Sequence, residues 1–291
     1  MKRALVTGAG GYLGSRLTRR LARRGTEVVV LARDLERTRA NLAVAAGGDI
    51  DGAIVGGASL DLADAAAHGE QLEQLCRGCD VVFHLGADLA YFGSEKLFAT
   101  NVAGTAALYA AALRAGVRRF VFASSVEATG SSPLPAPRGI SEYGILAPYG
   151  LSKLCAEERL LARGACERLG ILRLGVLVGE GDSLRPGLAT DLVGSEAEVM
   201  ALRDVTLPVL GTDRAVEALI DSASTQGFVR EHVVDRDAGL AELCGPFLGE
   251  LPGDEARESS GTAALGSIGA TTVLLRFLLW PTPELAGRRL R

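Results

Sequence analysis

Tyr149 and Lys153 stand four positions apart in the stretch APYGLSK, residues 147–153. Side chains four apart on a helix share a face. An ammonium beside a phenol favours the phenolate and lowers the tyrosine pKa from its usual value of about 10. That makes Tyr149 a usable general acid or base near neutral pH. A carbonyl that accepts a hydride also needs a donor for its developing negative charge. Ser125, the last residue of RFVFASS (119–125), is the candidate. The chemistry this trio suits is hydride transfer to a carbonyl or from a secondary alcohol. Taken alone, the Tyr-x-x-x-Lys spacing is common by chance, so its weight depends on the elements that position it.

Those elements alternate along the chain. RALVT (3–7) has a buried-strand pattern, and YLGSRLTRRLARRG repeats leucine at Leu13, Leu17 and Leu21 with a basic outer face, closed by Gly25. EVVVLA, GAIVG, DVVFHLGA and RFVFASS read as strands two to five, with a helical stretch from about Glu95 to Ala115 before the fifth. Strands this apolar, alternating with helices, predict a parallel sheet covered on both faces. A helix is expected from Tyr149 to about Leu169, then GILRLGVLVG as a sixth strand, the helix DRAVEALIDSAS and a last strand EHVVD. The expected fold class is α/β, a Rossmann-type doubly wound parallel sheet with a small C-terminal substrate-binding lobe. The sheet domain would span 1–179, with 205–235 returning to it, and the lobe 180–204 and 236–291. Within the lobe, GELPGDEARESSGTAALGS reads as a surface loop.

VTGAGGYLG sets Gly8, Gly11 and Gly14 at a G-x-x-G-x-x-G spacing between the first strand and first helix. Glycines there allow a tight turn and let backbone N–H groups approach a pyrophosphate at the helix N-terminus. The end of the second strand then selects the cofactor. An acid there would bind the ribose hydroxyls of NAD, but the strand runs VVVLARD, with Ala32 and Arg33 at that place. Arginine offers a 2′-phosphate a charge partner, which favours NADP over NAD. In the rival reading, Asp34 turns back to the ribose or Arg33 is a solvated side chain.

The order and spacing of TGAGGYLG, LDLAD, HLGA, NVAGT, ASS and YGLSK resemble the extended short-chain dehydrogenase/reductase family, also called the epimerase/dehydratase family. The resemblance spans residues 3–180 and, more weakly, 205–235. It implies that Tyr149 is the catalytic acid/base, that Lys153 holds the nicotinamide ribose and lowers the tyrosine pKa, and that Ser125 binds the reacting oxygen. Gly8, Gly11, Tyr12, Leu13 and Gly14 would form the dinucleotide turn, and Asp61 and Leu62 would flank the adenine. Leu85, Gly86 and Ala87 would run along the cofactor, and Asn101 would brace the sheet near the site. The family's HLAA is HLGA here, and the YG that often follows the serine is replaced by VEATG, which removes one aromatic substrate contact. The resemblance further implies a homodimer through a helical face.

The remaining signals narrow the class. The chain has 291 residues, a net charge of −4 and 48% hydrophobic residues, which argues for a globular protein and against a general nucleic-acid binder. Five cysteines and an N-terminus that runs straight into structure suggest the cytoplasm. TTVLLRFLLW (271–280) is too short for an integral span and is broken by Arg276, so a packed helix is expected there, with membrane-surface contact as the alternative. Cys76 and Cys79 form a C-x-x-C without a second pair, and His68, His84 and His232 have no ligand spacing, so no metal is expected. His84 is expected buried, Arg173 structural, and Asp88 and Tyr91 either on the substrate cleft or on loop surface. The leading reading is an NAD(P)-dependent ketone reductase or secondary alcohol dehydrogenase acting on a small, hydrophobic molecule. Its rivals are a nucleotide-sugar epimerase or dehydratase that retains NAD, and a non-catalytic NADP-binding sensor.

Overall fold

The computed structural model describes residues 1–44, 51–89, 94–129, 148–182, 206–239 and 242–243. Tyr91, the apolar segment 271–280 and most of the expected lobe lie outside the described residues.

Seven strands form one parallel sheet: β1 (Arg3–Thr7), β2 (Glu27–Ala32), β3 (Ile54–Ser59), β4 (Val81–His84), β5 (Arg119–Ser125), β6 (Leu169–Leu174) and β9 (Val229–Val233). Their order is β3-β2-β1-β4-β5-β6-β9. The fold is therefore a Rossmann-type doubly wound α/β sheet, as its apolar strands predict. The order reverses beside β1, where Thr7 lies level with Leu31 of β2 and His84 of β4. Ligands of such sheets bind at that switch, outside the carboxyl ends of the strands.

Helices cover both faces. On one side, α1 (Tyr12–Arg23) and α6 (Thr212–Ser224) bury Leu13, Leu17, Leu21, Val216 and Leu219 against Val6, Phe83 and Val121. On the other, α3 (Gly69–Cys76), α4 (Thr105–Arg114) and α5 (Pro148–Ala162) bury Leu72, Leu108, Tyr109, Ala156 and Leu160 against Leu5, Phe120 and Phe122. Each fully buried leucine contributes roughly 1.5–3 kcal/mol through removal from water. α2 (Leu35–Val44) links β2 to β3, and a π-helical turn, Ala99–Gly104, leads into α4.

Three sequence expectations are corrected, and one strand was not foreseen. The helix from Tyr149 ends at Ala162, because Gly164 and Ala165 take φ of 77° and 53° and turn the chain toward β6. GILRLGVLVG is two strands: after Leu174 the chain leaves the main sheet, and β7 (Val176–Val178) joins a second one. Gly175 makes the crossing, since a Cβ there would stand 2.6 Å from the Pro208 carbonyl oxygen. TLPVLG is a strand, β8 (Thr206–Gly211), at the centre of that second sheet between β7 and β10 (Arg236–Gly239). The last main-sheet strand covers VREHV and stops before Asp235.

Cys76 ends α3, and Cys79 lies in the turn before β4. Both are buried thiols, pushed up to about 12 and about 11 by loss of solvent. They are inert side chains of the core.

Candidate active site

The parallel register brings the carboxyl ends of β1, β2, β3, β4 and β5 to one edge. That edge carries Asp61, Arg33, the glycine turn, Leu85–Ala87 and Ser125, in that order along the sheet.

The turn is closed by a bond from the Gly11 N–H to Gly8 O, 3.0 Å. Gly8 sits at φ +70°, and a Cβ on it would stand 2.8 Å from the Gly86 nitrogen. A Cβ on Gly14 would stand 2.7 Å from the Gly8 carbonyl carbon and closer still to its oxygen. The turn thus keeps a side-chain-free cradle where α1 begins and its N–H groups point outward. These residues fit a dinucleotide pyrophosphate. Leu13 packs its side chain into the core. Tyr12 turns its phenol away, to Thr212 Oγ1 at 2.9 Å and the Glu180 carbonyl at 3.3 Å. Its backbone is what it can offer a cofactor.

Arg33 is exposed just beyond β2. Asp34 is engaged elsewhere: its carboxylate accepts the Arg37 N–H at 2.9 Å, at the start of α2. Asp61 accepts the Ala63 N–H at 3.0 Å and caps the 3₁₀ turn Leu62–His68. That backbone bond, then Lys96 and Arg33, holds its carboxyl below the usual carboxylate range, against the opposing pull of burial. Leu62 is buried, and its Cδ1 would stand 2.9 Å from a Cβ on Gly86. An alanine there would be accommodated only by a shift of the Leu62 side chain.

A hydrogen-bond chain runs beneath this edge. Leu85 and Gly86 donate their N–H groups to Thr7 Oγ1 at 3.1 and 2.8 Å, and Thr7 meets His84 Nδ1 at 2.7 Å. His84 Nε2 meets Thr105 Oγ1 at 2.8 Å, and Thr105 donates to the Asn101 carbonyl at 2.7 Å. The Thr105 hydroxyl gives its proton to that carbonyl, so it accepts from His84 Nε2–H, and Thr7 donates to Nδ1. His84 is wholly buried and pushed down to about 3, first by desolvation and then by the charge of Lys153. It is a neutral connector. Asn101 Oδ1 accepts the Asp88 N–H at 2.7 Å, while its amide donates to Asp88 O and Ser152 Oγ, each at 2.9 Å. Ser152 donates to the Tyr149 carbonyl at 2.7 Å. The chain therefore joins the cofactor strand to the first turn of α5.

On α5, Lys153 is buried and donates Nζ–H to the Ala123 carbonyl at 2.7 Å, over the Phe122 ring at 4.5 Å. Burial pulls it down to about 8, with Glu157 opposing. Its Nζ lies 5.9 Å from the Tyr149 ring centroid. Ser125 ends β5, and its Oγ accepts the Glu127 N–H at 3.2 Å. The structure thus brings Tyr149, Lys153 and the end of β5 together. Burial, then the charge of Glu127, pushes the phenol above its usual value. Glu127 reaches this position because Gly150 leaves room, a Cβ there standing 2.9 Å from Glu127 O.

Sequence reasoning missed Glu157. It is fully buried on α5, accepts Ser124 Oγ–H at 2.6 Å and pairs with Arg173 at 2.7 Å. The available signal was an acid four residues after Lys153 on the same helical face. Thr7, Thr105 and Ser152 were invisible, because their partners lie far off in sequence or on the backbone.

The fold and this edge define a dinucleotide-binding enzyme of the extended short-chain dehydrogenase/reductase type. Residues 4–215 match the NAD dependent epimerase/dehydratase family, and the chain belongs to it. A 2-alkyl-3-oxoalkanoate reductase of Stenotrophomonas maltophilia (strain K279a) is 33% identical over 238 residues, 77% of this chain and 68% of that one. A UDP-glucose 4-epimerase of Azospirillum brasilense is 29% identical over 221 residues, 72% of this chain and 60% of the epimerase. Among curated relatives the chain spans from 38% to 68% of their length. A double mutant of the dTDP-glucose 4,6-dehydratase DesIV from Streptomyces venezuelae, solved with NAD and DAU bound, superposes with a TM-score of 0.66 at 24% identity, covering 87% of this chain and 82% of that one. NAD(P) dependence follows from the family. Among the described residues no helix is long and apolar enough to cross a membrane.

Proposed function

We propose that the chain is an NADP-dependent ketone reductase or secondary alcohol dehydrogenase acting on a small, hydrophobic molecule. The observation that carries this reading is the convergence at the end of β5. There Lys153 is anchored on the Ala123 carbonyl at 2.7 Å, with Tyr149 one turn before it and Ser125 two residues beyond. The cofactor, when bound, supplies or accepts the hydride. In reduction, Ser125 orients the substrate oxygen and Tyr149 delivers the proton. A phenol kept protonated by burial and Glu127 is a donor at neutral pH, which suits the reductive direction. NADP is preferred because Asp34 is committed to α2 while Arg33 stands exposed at the adenosine end. The similarity to a 2-alkyl-3-oxoalkanoate reductase supports a hydrophobic ketone. The later segments, 180–204 and 236–291, are assigned to substrate binding.

One observation favours a second reading. Glu127 is an acid close enough to act on the Tyr149 charge, and a dehydratase acting on a nucleotide sugar would need such a second acid. The test is a titration of purified protein with NADPH and NADH, after a check for cofactor carried through purification. Preferential, exchangeable NADPH binding supports the reductase, and screening of hydrophobic ketones follows, with Tyr149→Phe expected to abolish turnover at unchanged NADPH affinity. A tightly retained NAD overturns it in favour of the epimerase/dehydratase reading. Turnover that survives in Tyr149→Phe removes the tyrosine from the mechanism.

A further inference from the structure

We propose that Glu157, clamped by Arg173, is a positioning residue that holds Lys153 in its charged ammonium form beneath Tyr149. The proposal rests on the reading of Lys153 as the cation of the active site.

The geometry is set by α5, which places Tyr149, Lys153 and Glu157 at intervals of four on one face. Glu157 has no exposed surface. Its Oε1 accepts Ser124 Oγ–H at 2.6 Å and Arg173 Nε–H at 2.9 Å, and its Oε2 accepts Arg173 Nη2–H at 2.7 Å. Arg230 of β9 lies 3.9 Å from Oε2. This bidentate fork fixes the carboxylate in place. A buried ion pair is weak as a source of stability, since apolar residues of similar volume often serve as well. Its location one turn from Lys153 gives it a second role.

Lys153 is in need of such a partner. It is 3% exposed, and burial favours its neutral form. The groups around it divide clearly. His84 on β4 is neutral, and Glu127, after β5, acts on Tyr149. Arg173 on β6 pairs with Glu157 at 2.7 Å and offsets part of its charge. His232 on β9 feels that same pair and is itself lowered, first by burial. Glu157 is the charge that favours the ammonium, assisted by the Phe122 ring face and the Ala123 carbonyl. The same carboxylate holds Ser124, and so fixes the strand end that presents Ser125.

The chain contains three lysines, Lys2, Lys96 and Lys153, so ¹³C-labelled lysine gives an NMR spectrum in which Lys153 can be titrated directly. In Glu157→Gln the Lys153 midpoint is expected to fall by at least about one pH unit, because a charge is lost with the hydrogen bonds largely kept. Ser124→Ala removes a hydrogen bond from the same carboxylate but no charge, and should leave the midpoint in place. Arg173→Gln removes the cation that shields Glu157, and should raise it. This second charge variant decides the matter if Glu157→Gln does not fold. An unmoved midpoint in Glu157→Gln, a fall of equal size in Ser124→Ala, or a fall or no change in Arg173→Gln overturns the proposal. The pH profile of NADPH-linked ketone reduction separates the two readings. If the midpoint moves and the alkaline limb of turnover does not, Glu157 controls Lys153 but the lysine charge is not used in the reaction. The catalytic use of the Lys153 charge then fails while this assignment stands.

Discussion

Gly14→Ala tests the dinucleotide cradle with a single methyl group. In a helix with free space the change would stabilise by about 1 kcal/mol. Here the new Cβ would stand 2.7 Å from the Gly8 carbonyl carbon, and the obstacle is backbone. Restoring an ordinary carbon–carbon separation of about 3.5 Å requires the turn to open by nearly 1 Å. Overpacking of that kind costs about 1–3 kcal/mol, which outweighs or cancels the helical gain. An opened turn also moves the N–H groups off the pyrophosphate. We expect NADPH affinity to fall at least about tenfold, or about 1.4 kcal/mol. Gly8→Ala should behave alike, since its Cβ would meet the Gly86 nitrogen at 2.8 Å and φ is +70°. Gly56→Ala is the control, because nothing lies within 4 Å of the added carbon. The assay is a fluorescence titration with NADPH beside a thermal melt of each variant. If Gly14→Ala binds NADPH as tightly as the parent and melts no lower than Gly56→Ala, the turn does not hold the cofactor and the argument from crowding fails.

Two further outcomes follow from named side chains. Arg33→Ala should weaken NADPH by about 10–100-fold, the scale of a charged hydrogen bond, and NADH far less; equal losses in the two titrations would remove the 2′-phosphate role. His84 is neutral in the fold down to about 3, whereas the unfolded chain takes up its proton near 6.5. Between those values the unfolded state binds more protons, so stability falls as pH drops, by up to about 1.4 kcal/mol per unit. Urea denaturation at about pH 8 and about pH 5 should show this, with a flatter dependence in His84→Gln; an equal slope in both proteins assigns the acid sensitivity elsewhere.

The sheet was readable because strands buried on both faces are unbroken apolar runs. RALVT, EVVVLA and RFVFASS coincide with β1, β2 and β5 residue for residue. Reading failed where tertiary contact outranked local pattern. GILRLGVLVG is one apolar run, yet it serves two sheets, because Gly175 passes against Pro208. TLPVLG was hidden by that same proline, which ordinarily marks an edge or a break rather than a central strand. The site divides in the same way. The types and spacing of Ser125, Tyr149 and Lys153 are local facts. The partners of His84 are not: Thr7 is 77 residues away and Thr105 is 21. A polar residue within an apolar run announces that it needs a partner, but not which one.

Burial changes what the tyrosine–lysine pair can do. In water-like surroundings the ammonium would promote phenolate, which is the expectation from spacing alone. In the folded chain, loss of solvent disfavours both charged forms: Tyr149 is pushed up and Lys153 down to about 8. The resting pair is therefore a phenol beside a lysine whose charge needs support. Proton donation to a nascent alkoxide reverses the situation, because it creates a phenolate beside that ammonium. The lysine would then stabilise the charge formed during reaction more than the ground state, which is the condition for lowering a barrier. Glu127 opposes the same phenolate, so neutralising it should ease formation of the base needed for alcohol oxidation. Reduction draws on the pair as it stands, whereas oxidation must first remove the tyrosine proton against burial. That asymmetry supports the reductive direction proposed for the chain at neutral pH.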